Sequence, residues 1–350
     1  MTAIQMRREM FAEDNVDVFL SDETPGLIDI YNNHELDVVF SHVYCYSVAV
    51  CVGIKRHAGL LFPQLMLRKL IPNNESWDYT DVFFWNPNAM LYFLYMHLHK
   101  RDDFKLHLYT DGMAQYIQPG LSEKNINASI PFYNNVEKRL WQLLYGKLGI
   151  KNSILDYYMY APEHTVLDQG LPLVGIPPIQ KHNAELVDLY NKVFEYDSSK
   201  IISEKIILID QLPIRMHYVE EHEKMLDVLQ ENFADDTIVK PHPRLEKDYY
   251  EKWNLKILRD NFSFDLYCLN NDLSDKIFIT HSSGAVFFPY ILFDENPTVI
   301  AIAGLCKKEK TVKRVMNVLC PALIRAGKNL YYPADMDEFS KNLVECYENL

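Results

Sequence analysis

The chain has 350 residues, and its 48 acidic against 35 basic side chains give it a formal charge of −13 at pH 7. Hydrophobic residues make up 48% of the chain, which is ordinary for a globular protein and excludes wholesale disorder. Because phosphate contacts need clustered Lys and Arg, the charge also argues against a general nucleic-acid binder. At roughly 100–200 residues per domain, the length predicts two domains or one unusually large one.

Cysteine usage and the apolar runs indicate the compartment. The six cysteines are scattered without a CxxC pair, so we expect small buried side chains in a reducing cytosol, without disulfides or a zinc site. The first residues lack the apolar core of a signal peptide. The longest apolar run, Val48 to Ile54, is far shorter than the roughly 20 residues that span a bilayer. The sequence therefore predicts a cytoplasmic protein.

Apolar patterning predicts alternating helices and strands in the first half of the chain. A helix opens the sequence around Ile4 to Phe11, although a Rossmann-like half normally opens with a strand. The predicted strands that follow are 16–20, 38–40, 82–85, 105–110 and 156–160. Such alternation is typical of a parallel sheet covered by helices.

A second α/β rhythm begins after a linker near residues 181–203. Pro177 and Pro178 close the first unit, and an amphipathic helix is predicted at 184–196. Strands are then predicted at 205–210, 237–240, 276–280 and 298–303, before a closing helix that ends at Leu350. We therefore expect an α/β protein with two Rossmann-like domains facing a central cleft, and a ligand between the carboxyl ends of the strands.

The run Lys240-Pro-His242-Pro-Arg244 directly follows a predicted strand. His242 therefore comes at a strand carboxyl end, where α/β sheets bind ligands, and a proline on each side fixes its backbone. Histidine titrates near neutrality and can give a proton to a leaving group. A turn histidine that is stabilised by its prolines is an equally weighted alternative for this motif taken alone.

Ser282 and Ser283 follow the next predicted strand and precede a helix-like run at 285–293. Strand, small hydroxyl residues and helix together present free backbone N–H groups and hydroxyls to a phosphate. An ordinary serine N-cap, which needs no ligand, is the alternative.

In the first half, Asp111 and Gly112 close the predicted strand 105–110. A carboxylate at a strand end can take a proton from a hydroxyl nucleophile. Asp-Gly is also one of the commonest turn dipeptides, and a plain turn is the favoured interpretation of the pair taken alone.

Together the three motifs resemble the bacterial GT-B sialyltransferases. The similarity is greatest to the families of the lipooligosaccharide sialyltransferases and, more distantly, the polysialyltransferases, and it extends from about Leu108 to Gly304. Residues 158–163 and 175–179 resemble the family segment that leads into the interdomain linker. The run 262–266 resembles the segment whose carboxylate binds the nucleotide ribose.

The resemblance has two departures. The pair before Gly112 is Thr-Asp, where the family has two acids, and the chain opens on a helix where the family has a strand.

The resemblance implies a GT-B glycosyltransferase fold with an acceptor-side domain at 1–190, a nucleotide-sugar-binding domain at 191–332 and a closing helix at 333–350. It implies inverting transfer of sialic acid from CMP-sialic acid to a sugar hydroxyl of a bacterial surface glycan, a lipooligosaccharide or capsule. Asp111 would be the general base and His242 the general acid. Neither a metal nor another cofactor is implied, because the leaving group is a monophosphate. The residues implied in donor binding are Gly112, Arg244, Asp265, Ser282 and Ser283.

Three alternatives stay open at this stage. They are a hexosyltransferase of the same family, a transferase similar to glycerophosphate polymerases, and an inactive nucleotide-binding scaffold of a capsule assembly complex. The expected partners are a nucleotide sugar and a glycan acceptor, and no nucleic acid. An exposed first helix would offer a surface for a homodimer.

Two charged segments have simple interpretations. Asp335 and Asp337 form an Asp-x-Asp pair that tempts a metal interpretation, but acids before a closing helix are expected to cap it. The basic cluster 307–314 is expected to be a solvated surface. Its alternative is peripheral docking to the anionic inner face of the membrane.

Overall fold

The computed structural model describes residues 1–22, 26–51, 62–74, 76–86, 88–110, 112, 116, 150–166, 170–210, 219–242, 249–250, 252–258, 262–305 and 310–350. Of the predicted site residues, Asp111 and Arg244 lie outside these ranges. The basic cluster 307–314 also falls outside the residues whose side chains are described.

The first half consists of parallel strands flanked by helices. β1 pairs with β2, and β3, β4, β5 and β6 form a second sheet in that order. The described strands are β1 (Asp17–Ser21), β2 (His42–Tyr46), β3 (Asp81–Phe84), β4 (Lys105–Tyr109), β5 (Ile154–Tyr160) and β6 (Leu173–Ile176). The described helices are α1 (Thr2–Glu9), α2 (Leu27–Asn32), α3 (Pro63–Leu70) and α4 (Ala89–Leu98).

The second half is built on one six-stranded parallel sheet. Its strands are β7 (Ile206–Ile209), β8 (Thr237–Lys240), β9 (Lys256–Ile257), β10 (Ile277–Thr280), β11 (Thr298–Ala301) and β12 (Leu330–Tyr331), in the order β12-β11-β10-β7-β8-β9. The helices described from the linker onward are α5 (Ala184–Val193), α6 (Val219–Phe233), α7 (Phe264–Asn270), α8 (Phe288–Leu292), α9 (Lys310–Arg325) and α10 (Met336–Glu348). The chain therefore has an α/β fold with parallel sheets in both halves.

The central strands of the second sheet show why this half folds as it does. β7 reads Ile-Ile-Leu-Ile and β10 reads Ile-Phe-Ile-Thr, and every one of these side chains is buried. Continuous apolar runs of this kind suit strands that are covered by helices on both faces. Because the chain continues from β7 to β8 on one side and reaches β10 on the other, the strand order changes direction beside β7. Ligands of open α/β sheets bind at such a point, beyond the strand carboxyl ends.

The first helix, α1, packs against the linker that follows the first half. Gln5 is 1% exposed, and its Nε2 donates to the carbonyl oxygens of Pro177 and Pro178 at 3.1 and 3.2 Å. The Arg8 guanidinium lies 3.1 Å from the Glu185 carboxylate of α5. Four of the eight residues of α1 are buried within the chain, so the exposed helix that suggested a homodimer is not observed.

Helix α5 connects the two halves through side-chain contacts. On one side, Asn33 donates from Nδ2 to the Val193 carbonyl at 3.0 Å. On the other, Asn191 and Asn270 of α7 exchange amide hydrogen bonds at 2.8 Å. The helix thus contacts both halves, and the domain limits at residues 190 and 332 stay a prediction.

One predicted element is wrong in kind, and another is helical as predicted but divided. Residues 38–40 were expected as a strand, but Glu35–Val38 is a 3-10 helix and the strand follows at His42–Tyr46. The reason is spacing: Leu36, Val39 and Phe40 are buried while Val38 is 78% exposed, which is helical periodicity. The single helix predicted at 285–293 is divided into a 3-10 helix at Gly284–Phe287 and α8.

Proline explains the second difference. Pro289 lies in the first turn of α8, and its ring nitrogen cannot donate to the carbonyl four residues earlier. A continuous α-helix is therefore interrupted before this residue.

Three other predictions are confirmed, for a strand, for a helix cap and for buried cysteines. The predicted strand 237–240 coincides with β8, and the closing helix is capped by Asp335, whose side chain accepts a hydrogen bond from the Glu338 amide at 2.9 Å. Among the described cysteines, Cys268, Cys320 and Cys346 are buried free thiols and Cys45 is half-buried. Within the described ranges, no helix combines the length and apolarity that crossing a membrane requires.

Candidate active site

A cavity of about 170 Å³ lies where residues of the two halves meet. Thr110 and Gly112, just beyond β4, and Tyr160, at the end of β5, contribute its wall on the side of the first half. Ser263 and Asp265, at the start of α7, contribute the facing wall. The other lining residues are mostly apolar or aromatic: Met1, Thr2, Tyr116, Phe194, Leu266, Phe288, Ile291 and Leu292. The cavity therefore lies beyond the carboxyl ends of β4 and β5, where α/β proteins bind ligands.

Thr110 anchors the backbone on the first-half side of the cavity. Its amide donates to the Tyr158 carbonyl at 2.9 Å, which continues the pairing of β4 with β5 by one residue. Its Oγ1 donates to the Tyr157 hydroxyl at 3.2 Å, and burial raises the pKa of Tyr157 to about 12. Thr110 is 4% exposed, so the chain is held firmly immediately before position 111.

Asp265 presents a carboxylate to the cavity from the first turn of α7. It is half-buried, and its Oδ2 lies 3.5 Å from the Ser263 hydroxyl, which can donate to it. A carboxylate accepts hydrogen bonds only, so this wall can bind hydroxyl groups of a ligand. Gly112 and Asp265, which the sequence assigned to the donor site, thus line one cavity.

A half-buried cation lies near this carboxylate. Lys240 ends β8, and its Nζ lies 5.2 Å from the centroid of the Phe262 ring, while Lys200 approaches the same ring at 5.3 Å. Burial lowers the pKa of Lys240, and the charge of Asp265 opposes that shift. An ammonium group at a strand carboxyl end is suited to an anionic ligand. The sequence analysis quoted Lys240 without assigning it a role, although its position at the head of the His-Pro motif was a usable signal.

His242 follows Lys240 by two residues and is half-buried. β8 stays in register with β7 up to its last residue, because the Asp210 amide donates to the Lys240 carbonyl at 3.1 Å. His242 therefore lies just beyond the carboxyl edge of the sheet, as predicted.

The serine pair follows β10 on the other side of β7. Thr280 is fully buried, and its Oγ1 donates to the Ile209 carbonyl at 3.0 Å and accepts from the Ser283 amide at 2.9 Å. Ser283 Oγ accepts from the Ala285 amide at 3.4 Å, which makes it the N-cap of the following 3-10 helix. Capping uses only the acceptor capacity of a hydroxyl, so the Ser283 O–H can still donate to a ligand.

Strand order determines how far apart these motifs are. β8 and β10 flank β7, so their ends are separated by two strand spacings, or roughly 10 Å. His242, Lys240, Ser282 and Ser283 are not among the lining residues of the cavity; they stand along the adjoining sheet edge. The structure therefore brings Gly112 and Asp265 together and places the other motifs on strands that flank β7.

A buried polar cluster lies beneath this edge, and sequence analysis missed it. Asp210, His222 and His281 are at most 4% exposed, and the rings of His222 and His281 are tilted by 34° with centroids 5.5 Å apart. The Tyr250 hydroxyl donates to Asp210, and His222 Nε2 lies 3.7 Å from the same carboxylate. Burial lowers the pKa of His222 to about 3 and that of His281 well below its usual value. Both imidazoles are therefore neutral at physiological pH.

The described residues contain no group of three or more His, Cys, Asp or Glu side chains arranged to hold a metal ion. The Asp335–Asp337 pair, which the sequence analysis assigned to helix capping, caps α10 through Asp335.

No protein-family model matches the chain, and no curated protein matches it either. Solved structures resemble its fold over most of its length. An α/β-galactoside α-2,3-sialyltransferase from the luminous marine bacterium Photobacterium phosphoreum is 12% identical, with a TM-score of 0.51 over 95% of both chains. The glycotransferase of kitacinnamycin is 10% identical, with a TM-score of 0.52 over 99% of this chain and 86% of the other.

Enzymes of another activity share the fold. The UDP-GlcNAc 2-epimerase of Methanocaldococcus jannaschii is 12% identical, with a TM-score of 0.50 over 95% of this chain and 91% of its own. At these identities the likeness establishes the fold, and function must be argued from the site. The chain thus has the two-half α/β fold that sugar-nucleotide glycosyltransferases and epimerases share.

Proposed function

We propose that this protein is an inverting glycosyltransferase that moves sialic acid from CMP-sialic acid to a sugar hydroxyl of a bacterial surface glycan. The observation that carries the proposal is the cavity between the halves, which has Thr110 and Gly112 on one wall and the Asp265 carboxylate on the other. The resemblance of the Asp-Gly, His-Pro and Ser-Ser motifs to sialyltransferases supports the choice of donor.

The donor nucleotide would bind along the edge of the second sheet. Asp265 can accept hydrogen bonds from the ribose hydroxyls. Ser282 and Ser283 would donate to the phosphate from the end of β10, while Lys240 would supply positive charge from the opposite side of β7. The resemblance implies that Arg244 adds a second positive charge to the donor site. A separation of roughly 10 Å between strand ends leaves room for a phosphate contacted by side chains from both.

The chemical step would be a single displacement at the anomeric carbon of sialic acid. The acceptor hydroxyl oxygen forms the new glycosidic bond while its proton passes to the Asp111 carboxylate. The bond between the anomeric carbon and the phosphate oxygen breaks, and both of its electrons leave with CMP. His242 protonates that phosphate oxygen, or donates a hydrogen bond to it, and inversion follows because attack and departure occur on opposite faces.

The departing group is a monophosphate, whose charge Lys240, Arg244, His242 and the serine hydroxyls can offset. We therefore propose that transfer proceeds without a divalent metal. Turnover that is unchanged by excess EDTA is the expected result, and restoration by Mg²⁺ or Mn²⁺ after chelation would contradict it.

Donor specificity separates this proposal from its alternatives. Purified protein is incubated with CMP-sialic acid, CDP-glycerol, UDP-hexoses and UDP-GlcNAc, each with and without a galactoside acceptor. We expect turnover of CMP-sialic acid alone, abolished by Asp111→Asn. Transfer from a UDP-hexose or CDP-glycerol, or epimerisation of UDP-GlcNAc, would replace the proposal, and CMP binding without any turnover would favour an inactive scaffold.

A further inference from the structure

An exposed tryptophan lies next to the strand that leads to the cavity. Trp85 is 46% exposed and follows β3 directly, in the short connection that ends where Asn88 caps α4. β3 pairs in parallel with β4, with Phe84 opposite Leu108. Trp85 follows Phe84 directly and Tyr109 follows Leu108, so Trp85 and Thr110 lie at the same end of two adjacent strands.

The connection that carries Trp85 is held at both ends. Phe84 is buried in the core of the first half, and Asn88 Oδ1 accepts from the Leu91 amide at 2.9 Å. A binding residue in a short loop between fixed elements needs little ordering when a ligand arrives. Such loops at the carboxyl end of a sheet are where α/β proteins bind substrates.

A half-exposed indole ring is suited to binding a sugar. The C–H face of a pyranose ring is apolar and can pack against the flat face of an indole, while the indole N–H can donate to a sugar hydroxyl. Among the described residues that line the cavity at this end of the sheet, the only charged side chain is the Asp265 carboxylate, which can accept hydrogen bonds from the hydroxyl groups of a neutral sugar. We propose that Trp85 is the stacking platform of the acceptor sugar, an inference that rests on the proposed function for the identity of the reaction.

The test compares Trp85→Ala and Trp85→Phe with the wild-type chain. With CMP-sialic acid saturating, we expect Trp85→Ala to raise the acceptor KM on the order of tenfold and Trp85→Phe to restore part of the loss. Because the proposed donor site lies along the edge of the second sheet, the Kd for CMP and the slow hydrolysis of CMP-sialic acid by water should stay within about twofold. Leu155→Ala is the matched control, since Leu155 is 51% exposed near the amino end of β5 in the same sheet. It should leave the acceptor KM unchanged.

A binding measurement keeps this inference separate from the proposed reaction. Lactose, N-acetyllactosamine and α-2,3-sialyllactose are titrated into wild-type and Trp85→Phe protein while tryptophan fluorescence is followed. A saturable change that is present in the wild type and lost in Trp85→Phe is expected for at least one sugar. If that change occurs without CMP-sialic acid turnover, the sugar site stands and the proposed donor is wrong. If turnover occurs and Trp85→Ala leaves the acceptor KM unchanged, or if no sugar gives a Trp85-dependent signal, the inference is wrong.

Discussion

Replacing Thr280 by valine tests whether the turn after β10 is held by a buried hydroxyl. The two side chains have nearly the same shape, but valine can neither donate to the Ile209 carbonyl nor accept from the Ser283 amide, which lie 3.0 and 2.9 Å from Oγ1. The contact with the Ile209 carbonyl is fully buried, so water does not replace it, whereas the contact with the Ser283 amide is partly buried. At about 1–3 kcal/mol for the buried carbonyl left unsatisfied and less for the amide, the free energy of unfolding should fall by about 2–3 kcal/mol.

Urea unfolding followed by far-UV circular dichroism measures this loss, and calorimetric titration with CMP measures its consequence for the site. Thr280→Ser is the matched control, because it keeps the hydroxyl and removes one methyl group, at a cost of about 1 kcal/mol. We expect Thr280→Val to bind CMP more weakly than Thr280→Ser, since the Ser283 amide loses its anchor. Equal stability and equal CMP affinity in the two variants would refute the reasoning.

Two further predictions concern charges at the same sheet edge. Lys240→Met should weaken CMP binding about 10- to 100-fold in calorimetric titration, because a charge-assisted contact contributes about 1.5–3 kcal/mol. Lys200→Met should weaken it far less. Equal effects of the two substitutions would contradict the assignment of Lys240 to the phosphate. Because the pKa of His222 is about 3 in the folded chain against an ordinary 6.5, protonation favours the unfolded chain, and stability is lost as pH falls below 6.5. At pH 5 the free energy of unfolding, measured with urea, should be lower by about 2 kcal/mol because of this group. His222→Phe should remove that part of the pH dependence, and an unchanged dependence in the variant would contradict the prediction.

The elements that the sequence predicted well are those whose own residues determine them. β10 has three consecutive apolar residues and β8 has two, and polar residues bound each of these runs. Both strands and their carboxyl ends could therefore be located before the fold was known. That was enough to place His242 and Ser282 at one sheet edge. Two local predictions were wrong. Val38 was predicted in a strand but ends a 3-10 helix, and Trp85 was predicted inside a strand that ends at Phe84.

The parts that sequence analysis missed depend on contacts between distant residues. Asp210, His222, Tyr250 and His281 come from four different elements, and nothing in their local sequences shows that they meet beneath the sheet edge. Lys240 gains its significance from Phe262 and Asp265, which only the folded chain brings beside it. Periodicity predicts which residues are buried, whereas these partnerships follow from strand order.

The most direct test of the proposed mechanism is the release of CMP from CMP-sialic acid by His242→Ala, measured together with its affinity for CMP. As the general acid, His242 acts in the transition state, so kcat should fall on the order of 10²- to 10⁴-fold while the Kd for CMP changes little. His182→Ala, which removes an exposed histidine of the linker, serves as the control and should keep wild-type turnover. Wild-type kcat in His242→Ala would show that the His-Pro segment is only a turn and would contradict the mechanism.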